Sequence, residues 1–257
     1  MNKYPRTLHI EGSRAQRGDK PDRTVPFSDL RGRHLVVEEK LDGANTGISF
    51  DPDGSLQLQS RGHYLTGGPR EVQFTLLKSW APVVAGQLRP VLQDRYVLYG
   101  EWLYALHSMF YDALPHYFHE FDVWDRETDT FLSTPARREM LEGIPLLSVP
   151  VLHEGPVRSL DELRAMIGPS LYRTEAWRAA RDEAARERGL DPEALAQVVD
   201  NDDLAEGLYV KWEEDGIVRG RYKYVRQSFT QTIIESGLHW NERPIVANRL
   251  APGASIF

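Results

Sequence analysis

Lys40-Leu-Asp-Gly43 sets a primary amine, a carboxylate and a glycine where a β-rich run over residues 34–39 (HLVVEE) breaks off. A lysine at a strand end can project its amine clear of the sheet, and glycine permits the tight turn behind it. An amine attacks phosphorus only when unprotonated, so a nucleophilic lysine needs neighbouring positive charge, a metal or desolvation to shed its proton. Taken alone, the same four residues also describe a solvated lysine ahead of an Asx turn.

Further segments follow in order: Ser60-Arg-Gly62, Tyr99-Gly-Glu-Trp102, Glu120-Phe-Asp-Val-Trp124, Glu206-Gly-Leu-Tyr-Val-Lys211 and Arg221-Tyr-Lys-Tyr224. In this order the chain resembles the covalent nucleotidyltransferases, the polynucleotide ligases and mRNA capping enzymes. Their signature is a Lys-x-Asp-Gly nucleophile followed by an arginine, a strand glutamate, an aromatic strand, a Glu-Gly-φ-φ-φ-Lys strand and a lysine strand. The resemblance runs from Lys40 to Lys223 and is best to the RNA ligases of the phage RNA ligase 2 type. Asn45 falls five residues after the lysine, and His119-Glu-Phe-Asp-Val123 is similar to that family's adenine-stacking strand.

The resemblance implies an α+β, antiparallel-sheet nucleotidyltransferase domain, ATP-grasp-like, with inserted helices and no OB-fold, over residues 1–257. It implies that Lys40 forms a lysyl-adenylate from ATP, with Mg²⁺ or Mn²⁺, and seals RNA 5′-phosphate and 3′-hydroxyl ends. Glu39 would be among the nucleotide-binding residues, Asn45 and Arg61 would hold phosphate and ribose, Glu101 ribose, and Phe121 the adenine ring. Glu206, with Glu101, would hold the metal, and Lys211 and Lys223 the α-phosphate. In-line displacement builds negative charge on nonbridging oxygens, which lysines on neighbouring strands would stabilise. Carboxylates suit a hard cation. The alternatives are a DNA ligase, a capping-type guanylyltransferase, or a catalytically silent nucleotide- or RNA-binding module.

There are departures from the family pattern. Arg221 stands where a lysine usual to the last motif would be, keeping charge without ammonium geometry. The hairpin carrying Glu206 and Lys223 is short. Only 34 residues (257 − 223) follow Lys223, room for a helix over 228–237 and a tail. A partner chain or second copy is therefore expected to supply what an OB-fold would.

Composition is that of an ordinary globular chain: 257 residues, 41% hydrophobic, 27% charged, net charge −7. With no cysteine, a disulfide framework, Cys-ligated zinc, an iron–sulfur cluster and a thiol nucleophile are excluded. No apolar run of signal-peptide or membrane-spanning length occurs, so a cytoplasmic, non-membrane protein is expected. The acidic balance disfavours a nonspecific nucleic-acid coat but leaves room for a local basic groove. The basic run between Arg14 and Arg33 is the better phosphate-tracking stretch, with solvated loop as its alternative.

Residues 34–39, 46–50 and 55–60 read as an antiparallel meander, with Asp51-Pro-Asp-Gly54 as a turn. Residues 95–101 and 117–124 read as strands, with a return over 125–131. Helices are expected from Thr134-Pro135 to Glu142, after the Ser159-Leu-Asp-Glu162 capping box, over 175–188, and from Asp191-Pro192. Residues 207–212 and 217–225 form a hairpin across Asp215-Gly216. His107, His116 and His119 invite a metal, but residues three apart on a strand face opposite sides. Trp102, Tyr104, Phe110, Tyr111, Tyr117 and Phe118 are assigned to the core rather than to base stacking.

Overall fold

The computed structural model describes residues 1, 3–14, 24–230 and 244–257. Its strands are β1 (Leu8–Ile10), β2 (Thr24–Val25), β3 (His34–Glu39), β4 (Ala44–Phe50), β5 (Leu56–Ser60), β6 (Tyr96–Trp102), β7 (Phe118–Asp125), β8 (Thr130–Leu132), β9 (Leu147–Ser148), β10 (Val151–Pro156), β11 (Gly207–Glu214) and β12 (Ile217–Val225). Its helices are α1 (Thr75–Leu92), α2 (Thr134–Met140), α3 (Leu160–Arg164), α4 (Trp177–Glu187) and α5 (Pro192–Val198). None of the described helices is long and apolar enough to cross a membrane.

Nine of the described strands follow one path, β10-β3-β11-β12-β8-β7-β6-β4-β5, antiparallel at every step, while β1 joins β12, β2 joins β1 and β9 joins β7 by parallel pairing. The three-residue β8 is the narrow link, pairing with one end of β12 and one end of β7. It divides the sheet into a β10-β3-β11-β12 wing and a β7-β6-β4-β5 wing. The expected meander is thereby corrected. β4 and β5 pair across the 51–54 turn, but β3 pairs with β10 and β11, not with β4. At residues 40–43 the chain leaves one wing for the other.

The Asp215-Gly216 turn forms as expected, with φ of 53° and 77°, the positive pair a two-residue hairpin needs. The caps also form, with one shift. Ser133, not Thr134, caps α2 by accepting from the Ala136 amide, while Thr134 binds Glu213 instead. Ser159 caps α3 by accepting from the Glu162 amide at 3.1 Å. Residues 228–230 are not helical, and the remainder of the helix expected over 228–237 lies outside the described residues.

α1 is an element that sequence reading did not supply, because Pro82 and Pro90 interrupt the stretch. Each interior proline costs about 3 kcal/mol. Leu77, Leu88 and Leu92 are fully buried against the β4–β6 face and Trp80 nearly so. At about 1.5–3 kcal/mol for each large side chain, that burial outweighs the prolines. Trp102, Phe110, Tyr111, Tyr117 and Phe118 are core as expected, and Tyr104 packs partly buried against them. Leu35, Val37, Leu208 and Val210 form the core of the other wing.

A buried charged seam joins the wings. The Lys211 ammonium on β11 lies 2.9 Å from Glu38 on β3 and 3.0 Å from Asp122 on β7, and donates to the Phe121 carbonyl. Arg137, on α2, donates to that same carbonyl and reaches Glu38 at 3.4 Å and Glu120 at 3.3 Å. Burial pushes Asp122 upward, but Lys211 and Arg221 outweigh it and hold its carboxyl below the ordinary range. Removing one partner strands buried charges, at a cost of about 3–5 kcal/mol. Lys211→Met should therefore lower the Tm by roughly 6–20 °C. Adding Glu38→Gln should recover part of that loss, as calorimetry would show; an unchanged Tm in Lys211→Met contradicts the seam's role.

Candidate active site

The two wings enclose a cleft of about 1000 Å³ whose lining includes Lys40, Asn45, Arg61, Glu101, Phe121, Glu206 and Lys223. Lys40 follows the last residue of β3, and its backbone amide donates to the Gly207 carbonyl at 3.0 Å, which ties the strand end to the start of β11. The turn beyond it demands glycine. A Cβ at Gly43 would stand 2.6 Å from the Trp102 carbonyl and 2.8 Å from Leu103. Asp42 steadies the same turn, its Oδ2 accepting from the Ser108 and Met109 amides at 2.6 and 2.7 Å.

The Lys40 amine lies 2.6 Å from Glu206 Oε2, with 22% of the lysine side chain and 1% of the glutamate exposed. Burial disfavours its charge, but Glu206, Glu101 and Asp42 outweigh burial and hold its pKa above the ordinary lysine value. This reverses the expected depression: carboxylates, not cations, are the nearest charges. Those carboxylates are perturbed in turn. Burial, with Asp42 adding to it at both and Glu206 adding to it at Glu101, raises Glu101 to about 8 and Glu206 to about 7, against the pull of Lys40.

Asn45 and Glu101 face each other across β4 and β6. Glu101 Oε1 accepts from the Gly43 amide at 3.0 Å, whereas Asn45 Oδ1 is buried with no hydrogen-bond partner among the described residues. A buried amide oxygen left unpaired costs free energy that a bound donor would recover. Phe121 borders the cleft from β7, opposite a register shift between Tyr99 and Gly100 that lets it bulge from the ladder. Arg61 is exposed on the cleft rim. Lys223, paired in register with Tyr209 on the β11–β12 hairpin, faces the cleft.

Three expected residues are placed differently. Lys211 does not line the cleft; its ammonium is held behind Phe121 by Glu38, Asp122 and the Phe121 carbonyl, which leaves it no access to a phosphate. Arg221 stacks on Phe131 at 3.7 Å and on Tyr4 at 4.9 Å, with Asp122 at 3.9 Å, so its replacement of a lysine serves packing. Glu39 borders the cleft, but its two oxygens accept from the Ser170 hydroxyl and the Leu171 amide at 2.6 and 3.2 Å. Of the expected basic run, residues 15–23 lie outside the described residues, and Arg33 stacks on Trp212 at 3.7 Å.

Among the described residues, no group of three or more His, Cys, Asp or Glu side chains is arranged to hold a metal ion. Glu101 and Glu206 still fit a divalent cation as a pair. Both are carboxylate oxygen donors whose pKa is raised chiefly by desolvation, and phosphate or water oxygens would complete the shell. His116 is bonded to backbone at residues 118 and 256. Tyr4, Thr7 and Tyr209 also line the cleft without having been picked out as site residues, as does His107, weighed above only as a metal ligand. For Tyr209 a signal existed, since period two sets it on the same strand face as Lys211.

Residues 33–225 match the family model described as RNA ligase. No curated protein matches the chain. Among solved structures it is similar to a variant of Naegleria gruberi RNA ligase with ATP and Mn, at 17% identity and TM-score 0.51, covering 88% of this chain and 58% of that one. It is similar to a variant of the same ligase with AMP and Mn, again at 17% identity, 88% and 58% coverage and TM-score 0.51. The ligase with PPi aligns at 18% identity and TM-score 0.52, over 86% of this chain and 60% of that one. The chain thus spans about six-tenths of the length of those ligases.

Glu206→Gln removes the first carboxylate that holds the Lys40 ammonium and leaves burial, which favours the neutral amine. In metal-free buffer the pH midpoint for acylation of Lys40, followed by peptide mass spectrometry, should move down by roughly one unit or more. An unmoved midpoint contradicts the pairing.

Proposed function

The chain belongs to the RNA ligase family, and from that premise we propose that it is an ATP-dependent RNA ligase working through a lysyl-adenylate on Lys40. The observation that carries this reading is the cleft itself, where a half-buried lysine, an aromatic ring, an amide oxygen unpartnered among the described residues and a second lysine converge. Its volume, about 1000 Å³, is ample for a nucleotide.

In this reading adenine stacks on Phe121, and Asn45 and Arg61 hold ribose and phosphate. Lys40 attacks the α-phosphorus; a P–N bond forms, the P–O bond to pyrophosphate breaks, and pyrophosphate leaves. Lys40 must first lose a proton, and Glu206 is the acceptor in place, 2.6 Å away with a pKa of about 7. Lys223 faces the developing charge on the nonbridging oxygens. Lys211 supports Phe121 from behind. Glu101, joined by Glu206 once that carboxyl has passed its proton on, would hold a divalent cation, which would supply positive charge that screens the triphosphate. AMP then passes to an RNA 5′-phosphate, and a 3′-hydroxyl displaces it to seal the strand. The acceptor strand is gripped by this domain or by a partner chain or second copy.

Incubation with labelled ATP and Mg²⁺ or Mn²⁺ should label the protein in an acid-labile, base-stable linkage, and Lys40→Ala should abolish the label. Glu206→Ala and Lys223→Ala should each slow labelling by at least about 100-fold, the scale of one lost preorganised contact. Preference for GTP would indicate capping, and no labelling with any nucleotide a silent binding module.

On nicked duplexes, RNA should be needed mainly on the 3′-hydroxyl side. A site that bonds a 2′-hydroxyl is left with an unpaired polar group by deoxyribose, a loss of about 1–3 kcal/mol or roughly 5- to 150-fold. Equal sealing rates on RNA and all-DNA nicks would make it a DNA ligase.

A further inference from the structure

Residues 3–7 form no regular element, yet Tyr4 is only 7% exposed. Its hydroxyl donates to Asp122 Oδ2 on β7 and meets the Tyr209 hydroxyl on β11. Its ring meets Phe121 edge-on at 5.4 Å and 79°, Tyr99 at 4.9 Å and Phe131 at 5.8 Å, with the Arg221 guanidinium over it at 4.9 Å. One side chain, fourth in the chain, thus touches both wings of the sheet. Tyr4 and Thr7 border the nucleotide cleft, whereas Lys3, Pro5 and Arg6 border a second cavity of about 590 Å³, so the segment is a wall between the two.

Phe121 needs such a wall. Because it bulges from the β6–β7 ladder, its carbonyl is taken by Lys211 and Arg137 rather than by a strand neighbour. That fixes the backbone and leaves the ring to be oriented by its neighbours. Tyr4 and Tyr209 are the aromatic rings in contact with it among the described residues. Edge-to-face pairs have a preferred geometry, so the Tyr4 edge selects how the Phe121 ring is presented.

We infer that Tyr4, which lies ahead of the family-matched residues 33–225, is a positioning residue for the Phe121 ring and so governs nucleotide affinity rather than the rate of transfer. This rests on the reading of Phe121 as the adenine platform. A ring held in place before ATP arrives spares the cost of ordering it on binding, and that saving appears in half-saturation, not in the saturated rate.

The test measures self-labelling rate against ATP concentration for wild type, Tyr4→Phe, Tyr4→Leu and Tyr4→Ala, with circular dichroism to confirm folding. Tyr4→Ala should raise the half-saturating ATP concentration by roughly 10-fold while the saturated rate stays within about 3-fold. Tyr4→Phe, which keeps the ring edge, should recover half-saturation to within about 3-fold of wild type. Tyr4→Leu should behave as Tyr4→Ala and replaces it in the comparison if the alanine variant does not fold. Unchanged half-saturation in the folded alanine or leucine variant, or a fall confined to the saturated rate, overturns the inference while the ligase reading stands. A wild type that takes no label overturns both.

Discussion

Lys40 reaches the cleft because the chain changes wing between Glu39 and Ala44. β3 ends against β11, and β4 begins against β6. The intervening turn must fit under the Trp102 carbonyl, where only a glycine passes. Lys40 stands at this crossing, so its amine faces the space between two sheet wings and not the solvent outside one of them. The other cleft residues are arranged around that point. Glu206 precedes the strand that Lys40 is bonded to, and Asn45 and Glu101 sit at the paired ends of β4 and β6.

A crossing between wings is stable only if something else holds them at a fixed separation. The narrow β8 link does part of this, and the seam of Glu38, Asp122, Glu120, Lys211 and Arg137 does more. Buried ion pairs are weak sources of net stability, since desolvation offsets their attraction. Their value lies in geometry. Two cations from different elements converge on the Phe121 carbonyl and fix the backbone of a residue that the strand ladder has released. Lys211, expected at the α-phosphate, is instead held against the Phe121 carbonyl.

Much of this was legible in the sequence. The order of Lys40, Arg61, Glu101, Phe121, Glu206 and Lys223 marks residues that the fold does gather on one cleft. The 215–216 turn, the Ser159 cap and the β6–β7 pair followed from local chemistry. What sequence could not show was non-local. α1 carries two prolines and is held by tertiary burial. The separation of β3 from β4 depends on which partner each strand finds. Lys211 and Lys223 differ in nothing local; the Glu38 and Asp122 carboxylates, 173 and 89 residues away (211 − 38 and 211 − 122), decide that one is buried in the seam. Tyr4 has no neighbour in its own segment that hints at a role.

In the proposed mechanism the lysine starts as an ammonium, its charge favoured by the same Glu206 carboxylate that then takes its proton. On the proposed reading, pairing keeps the lysine in place and unreactive until nucleotide and cation alter the local charge. The central claim is that this amine becomes bonded to AMP. Peptide mapping by mass spectrometry, on protein incubated with ATP and Mg²⁺ and digested under alkaline conditions, tests it most directly. A single adenylyl adduct on the peptide containing Lys40 is the expected result. An adduct on Lys223 or any other residue, with Lys40 unmodified, would contradict the account.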